Sequence, residues 1–176
     1  MGGGLSRHNS KTIRMLEVGC ATGKDCIQFL NGREDIEIVG VDIQDYGLKQ
    51  DNFSLKLADA ESIPYPDNYF DITVSIGVLE HIVPIEKLSR VIKEIERVSK
   101  SFVVIVPSIN TVIEPHIARF FWQLQNREKK PKYAGTLIYM SDEAWLAFEG
   151  FSGAKSCRYN HIPLFINNLV IYQIAG

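Results

Sequence analysis

Apolar positions in this chain follow two periods that alternate along it. Short apolar runs, many of them β-branched, end at polar residues or glycine: Ile13, Met15, Leu16 and Val18 before Gly19, then 36–41 (IEIVGV) before Asp42. The same holds for 53–57 before Ala58, Asp59 and Ala60, for 70–76 (FDITVSI) before Gly77, and for 102–106 (FVVIV) before Pro107. Such runs predict buried strands. Helical spacing stands between them. Cys26, Ile27 and Leu30 predict a first helix over 24–30 that stops at Gly32, and Leu88, Val91, Ile92, Ile95 and Val98 predict a longer one. Glu86 near the start of the longer helix, with Arg97 and Lys100 near its end, complements the helix dipole.

Strand and helix in alternation predict an α/β fold: a Rossmann-like, doubly wound sheet, mostly parallel, with helices on both faces. The pattern changes after Pro107. Residues 113–125 predict an amphipathic helix carrying Phe120, Phe121 and Trp122, followed by a basic, proline-containing loop over 126–135. Ser141 is placed to cap a short helix over 143–148, with Asp142 and Glu143 in its first turn. The runs 154–159 and 169–174 have strand composition and only a loop between them, which predicts an antiparallel C-terminal pair.

The organisation expected is a flexible N-terminal segment over 1–11 (MGGGLSRHNSK) and one domain over 12–176, with a divergent substrate-side segment at about 108–140. Composition agrees: 176 residues with 45% hydrophobic and 23% charged supply a real core, and no Pro/Gly/Ser-rich linker divides the chain. A net charge of -2 leaves no strong signal for nucleic acid or a membrane surface. Cys20, Cys26 and Cys157 form no CxxC pair and no Cys/His set of zinc spacing, so no metal is expected, and a reducing, cytoplasmic setting is. The chain shows neither a signal sequence nor an apolar span of about 18 residues.

Candidate chemistry centres on 15–24 (MLEVGCATGK), where a strand run carries Glu17 at its end and Gly19 and Gly23 permit a tight turn. A phosphate-cradling P-loop needs four residues between its glycines and then Lys-Ser or Lys-Thr; three lie between these, and Asp25 follows Lys24. A dinucleotide GxGxxG needs glycines where Ala21 and Lys24 stand. What fits is acidic-x-Gly-x-Gly/Ala-x-Gly, with Asp42 about 20 residues on, the interval at which a βαβ unit places an acid for ribose hydroxyls.

With that pattern the chain resembles the class I S-adenosylmethionine-dependent methyltransferases. Residues 17–23 (EVGCATG) are similar to their first motif, Asp42 to the acid after strand two, and Asp59-Ala60-Glu61 to the adenine-edge motif. Residues 64–71 (PYPDNYFD) and Leu79-Glu80-His81 resemble the small-molecule branch often called type 11. The resemblance spans about residues 13–107 and implies methyl transfer from S-adenosylmethionine, leaving S-adenosylhomocysteine, to a small-molecule acceptor. It implies that Glu17 receives the methionyl ammonium, that Gly19, Cys20, Ala21 and Gly23 line the methionine part, and that Asp42 holds the ribose. Asp59 and the Ala60 N–H would take the adenine edge, Ile43 would pack on the ring, and backbone around Ser75, Ile76, Gly77 and Val78 would face the methionine side.

His81 is the candidate general base, with orientation of its loop as the competing role. Phe120, Phe121, Trp122, Tyr133, Tyr139 and Trp145 are either pocket wall or core, and the basic run 127–132 is either an attractor of acidic substrates or a solvated loop. His116 and His161 have no metal spacing. Two departures from the family pattern stand out. Ala21 replaces the usual middle glycine, which a negative φ would tolerate, and few residues precede the first strand where relatives have covering helices. The short front end motivates an alternative: a cofactor-binding, non-catalytic regulatory subunit completed by a homodimer mate or a partner chain.

Overall fold

The computed structural model describes residues 12–23, 28, 33–47, 53–109, 113–114, 119–120, 138, 140–162 and 166–176. The apolar runs form strands β1 (Ile13–Val18), β2 (Ile36–Asp42), β3 (Phe53–Leu57), β4 (Ile72–Ile76) and β5 (Phe102–Pro107). Two further strands, β6 (Ile113–Glu114) and β7 (Arg119–Phe120), make a separate antiparallel pair, and β8 (Lys155–Ile162) and β9 (Ile166–Gln173) close the chain. Among the described residues the main sheet has seven strands in the order β3-β2-β1-β4-β5-β9-β8. Its first five are parallel, and β9 runs antiparallel to both β5 and β8. This is the expected Rossmann-like sheet with an antiparallel C-terminal pair.

Strand order places the site. From β1 the chain steps outward to β2 and β3, then returns to lay β4 against the other side of β1. Reversals of this kind open a crevice outside the carboxyl ends of the strands. Register sharpens it: Val18 pairs with Val41 and Glu17 with both Gly40 and Val74, so β1, β2 and β4 end side by side.

Two apolar layers cover the sheet. Leu16, Val18, Val39 and Val41 face one side together with Leu88, Val91, Ile92, Ile95 and Val98 of helix α1 (Ile85–Val98). All five helix residues are buried, each contributing about 1.5–3 kcal/mol in apolar transfer. Met15, Ile38 and Val74 form the opposite layer with Ile36, Phe53, Ile72 and Ile76. The face thus switches with the two-residue period of a strand.

Ser141 caps helix α2 (Asp142–Leu146), its Oγ accepting from the Ala144 N–H at 3.2 Å. Trp145 is a core residue, 1% exposed. The helix predicted over 113–125 is corrected within the described residues, since Ile113 pairs with Phe120 and Glu114 with Arg119 as strands. Local chemistry accounts for it: Val112 and Ile113 are β-branched, and Pro115 disfavours helical backbone at Glu114. The predicted fourth strand loses its first two residues, because Phe70 makes only an isolated bridge to Ser99 and Asp71 accepts from the Arg14 N–H at 3.0 Å. The N-terminal segment, most of the predicted first helix and most of the divergent segment lie outside the described residues.

Candidate cofactor and active site

Four strand ends and one helix start surround a cavity of about 330 Å³. Val18 and Gly19 enter from β1, Val41, Asp42 and Ile43 from β2, and Ala58, Asp59 and Ala60 from the loop after β3. Gly77 and Val78 follow β4, and the wall is completed by His81 of the 3-10 turn Leu79–His81, by Ile82 and Val83 of the link that follows, and by Lys87 in the first turn of α1. The lining is mainly apolar, with acids at two corners, the pattern of a small-molecule site.

The turn after β1 is built by close approach. A Cβ on Gly19 would lie 2.5 Å from both Cγ atoms of Val78, and φ at Gly19 is +71°. Neither condition admits a side chain without strain. Beneath the turn, a Cβ on Gly40 would lie 2.6 Å from the Cys20 Sγ and 2.6 Å from the Phe53 ring. Gly40 makes the room in which Cys20 is buried. Burial, reinforced by the charges of Glu17 and Asp42, pushes the Cys20 thiol up to about 12. It is protonated at neutral pH and inert as a nucleophile.

Ala21 does not meet the condition of negative φ under which alanine is tolerated, for it stands at φ +43°. In that left-handed conformation its N–H donates to Asp42 Oδ2 at 2.9 Å. The strain, about 1–2 kcal/mol for a residue with a Cβ, is retained together with a hydrogen bond to the acid that closes β2. The Gln44 N–H donates to Asp42 Oδ1 at 3.0 Å. Backbone donors therefore hold both oxygens of Asp42.

Asp59 is held differently. Its Oδ1 accepts from the Glu61 N–H at 3.0 Å, and its Oδ2 accepts from the Lys87 ammonium at 2.6 Å. The Lys87 bond, then the Glu61 N–H, keep its carboxyl below the usual range. The loop that carries it is pinned to α1 through Arg97. That guanidinium donates to the Ile63 and Tyr65 carbonyls at 3.0 and 2.9 Å and to Asp67 at 2.8 Å, while also pairing with Glu94. The hydrogen bonds to Glu94 and Asp67 hold Arg97 firmly protonated.

Of the residues singled out in the sequence, Gly19, Asp42, Ile43, Asp59, Ala60, Gly77, Val78 and His81 share the cavity wall. Ile43 is 79% exposed there, an apolar face turned to the mouth. Glu17, Cys20 and Ser75 are buried in or under the strand ends, Gly23 is buried beside the exposed Ala21, and Ile76 is half-buried in β4. His81 is exposed, and its backbone N–H donates to the Val78 carbonyl at 2.9 Å. His116, Phe121, Trp122, Tyr133, Tyr139 and the run 127–132 lie outside the described residues. Sequence reasoning missed Ile82, Val83 and Lys87. The signal for Lys87 was a cation in the first turn of a helix, where the dipole disfavours it.

A family model described as "Methyltransferase domain" matches residues 16–105, about half of the chain and the stretch that builds this cavity. The chain belongs to the methyltransferase-domain family. Ajmaline N-methyltransferase of Rauvolfia serpentina is 32% identical over 107 residues, a match covering 54% of this chain and 35% of that enzyme. The chain thus spans about a third of the length of that curated relative. Among solved structures, the complex between the Haloferax volcanii Trm112 methyltransferase activator and its methyltransferase contains a similar chain. It has a TM-score of 0.63 and 13% identity, with 95% of this chain and 84% of that chain covered. The 1,6-didemethyltoxoflavin-N1-methyltransferase of Burkholderia thailandensis, solved with 1,6-didemethyltoxoflavin and S-adenosylhomocysteine, gives 0.62 and 13%, covering 92% and 70%. At such identities these two structures speak for the fold alone.

No described helix of this methyltransferase-family chain is long and apolar enough to cross a membrane. Among the described residues, no group of three or more His, Cys, Asp and Glu side chains is disposed to hold a metal ion.

Proposed function

We propose that this chain binds S-adenosylmethionine and transfers its methyl group to a small-molecule acceptor. One observation carries the reading. Asp42, Ile43, Asp59 and Ala60 converge on one cavity at the carboxyl ends of the strands, beside the left-handed turn that begins at Gly19. The two acids suit a ligand with hydroxyls at one end and an amino-bearing ring at the other, and Ile43 and Val83 suit the ring faces between them.

The residues divide the work. Asp42, with both oxygens already oriented by N–H groups, would accept from the ribose hydroxyls, and Asp59 with the Ala60 N–H would read the adenine edge. Glu17, buried near the end of β1 just before the turn and outside the cavity lining, would supply the negative charge for the methionyl ammonium. The donor brings a methyl on a sulfonium, already activated, so the chain has chiefly to align the partners and exclude water. His81 sits on the wall next to Val78 and is the candidate to take a proton from the acceptor.

Calorimetric titration with S-adenosylmethionine, S-adenosylhomocysteine and NAD tests the cofactor reading. Tight NAD binding with no response to the other two would sink it. Incubation with labelled donor and a metabolite extract tests transfer, and binding without label transfer, alone or with partner proteins, would favour the non-catalytic subunit. His81→Gln should leave S-adenosylhomocysteine affinity within about twofold while lowering label transfer by roughly a hundredfold or more if the imidazole is the base. Unchanged transfer would make His81 an orienting residue only.

A further inference from the structure

Lys87 occupies a position that helix physics does not favour. It lies in the first turn of α1, where a cation opposes the macrodipole, and its ammonium reaches out of the helix to Asp59 across the cavity wall. Lys87 and Asp59 both line the cavity, joined at 2.6 Å, and Glu61 Oε2 stands 4.0 Å from the same ammonium. The Lys87 side chain is 31% exposed and that of Asp59 45%, so the pair sits at the rim.

We propose that Lys87 is a positioning residue: it fixes the Asp59 carboxylate as an acceptor facing the cavity and thereby selects a purine that presents an amino group over one that presents an oxo group. This rests on the proposed cofactor reading and deepens it at the adenine corner. Each Asp59 oxygen already accepts one bond, one from the Glu61 N–H and one from Lys87. Each keeps capacity for another, and an ionised carboxylate only accepts. An exocyclic amino group can donate to it. The oxo oxygen of a deaminated base would meet it lone pair to lone pair. Without Lys87, Asp59 is held by the Glu61 N–H alone, turns more freely, and protonates at higher pH; once protonated it also donates, and the discrimination weakens. Other charged or titratable groups near this corner are Glu61, Arg90 bonded to Glu61, and Asp42 and His81 on the same cavity wall.

The test is calorimetric titration of the protein with S-adenosylhomocysteine and its deaminated analogue S-inosylhomocysteine, from about pH 4 to 8. Wild type, Lys87→Met, Lys87→Arg, Asp59→Asn and the Lys87→Met/Asp59→Asn double variant are compared. Lys87→Met should weaken S-adenosylhomocysteine roughly tenfold, shrink its preference over the inosyl analogue by a similar factor, and move the acid loss of binding to higher pH. Lys87→Arg should restore the pH profile. In the Asp59→Asn background, Lys87→Met should add nothing, because its action runs through that carboxylate. Wild-type affinity, preference and pH profile in Lys87→Met would overturn the inference and leave the cofactor reading intact, as would an equal effect of Lys87→Met with and without Asp59. Wild-type protein that binds neither nucleoside overturns both.

Discussion

The two acidic corners of the cavity are built by opposite means. Asp42, at the end of a central strand, is held by the Ala21 and Gln44 N–H groups, so its geometry follows from the fold of the backbone. Asp59, beyond the edge strand, shares its holding between one N–H group and the Lys87 ammonium on a different element. Backbone donors stay in place once the sheet and its turns form, whereas a lysine carries four rotatable carbons and responds to pH, salt and substitution. One corner is therefore set by topology, and the other is open to adjustment by a single side chain. A site of this kind can keep its Asp42 corner fixed while what its Asp59 corner accepts drifts.

The largest effect should come from breaking the backbone corner at its source. Gly19→Ala adds a Cβ 2.5 Å from the Val78 methyls at a φ of +71°. Left-handed strain and overpacking together should cost about 2–4 kcal/mol in urea unfolding and displace the turn that offers Ala21 N–H to Asp42. The Gly19→Ala/Val78→Ala pair should recover the steric share and leave the conformational share. Full recovery would mean that the clash alone mattered and that the left-handed turn is not under conformational demand.

The same contrast explains what could be read without coordinates. The strand ends at Glu17, Asp42 and Gly77 were legible because each acid or glycine follows an apolar run directly, and a parallel sheet gathers such ends by topology. The run 113–125 was not legible as carrying strand at 113–114 and 119–120. Its apolar spacing at Ile113, Ile117, Phe120, Phe121 and Leu124 satisfies a helical period, but Pro115 and β-branched neighbours disfavour helix there, and a two-residue ladder leaves almost no periodic trace. Lys87 was missed for a related reason: its meaning lies in a contact with Asp59 made across elements, which sequence spacing does not encode. Left-handed geometry at Ala21 was hidden too, since alanine at that position suggests negative φ and only the hydrogen bond to Asp42 accounts for the opposite.

The side-chain corner predicts a pH signature. Asp59 titrates below its ordinary range in the folded chain, chiefly through Lys87. Its contribution is present above the unfolded-state pKa, near 4, and is lost as pH falls through the lower folded value. Wild type should therefore exceed Asp59→Asn in urea midpoint at neutral pH, with the gap closing on acidification below about pH 4. At this exposure the gap should not exceed about 1 kcal/mol, and added salt should narrow it. A difference that stays constant with pH and salt would place the role of Asp59 in shape rather than charge.

The smallest effect tests the backbone corner at its strained residue. Alanine at φ +43° carries roughly 1–2 kcal/mol of left-handed strain, which glycine does not. Glycine also adds about 0.4–1 kcal/mol of freedom to the unfolded chain, working against the gain. Ala21→Gly should therefore raise stability by less than about 1 kcal/mol, the difference of the two. The N–H that Asp42 accepts is kept, because the substitution leaves the backbone donor in place, so nucleoside affinity should stay within about twofold. A clear loss of stability would mean that residue 21 holds negative φ in solution, and Asp42 would then lose the N–H that distinguishes its corner from that of Asp59.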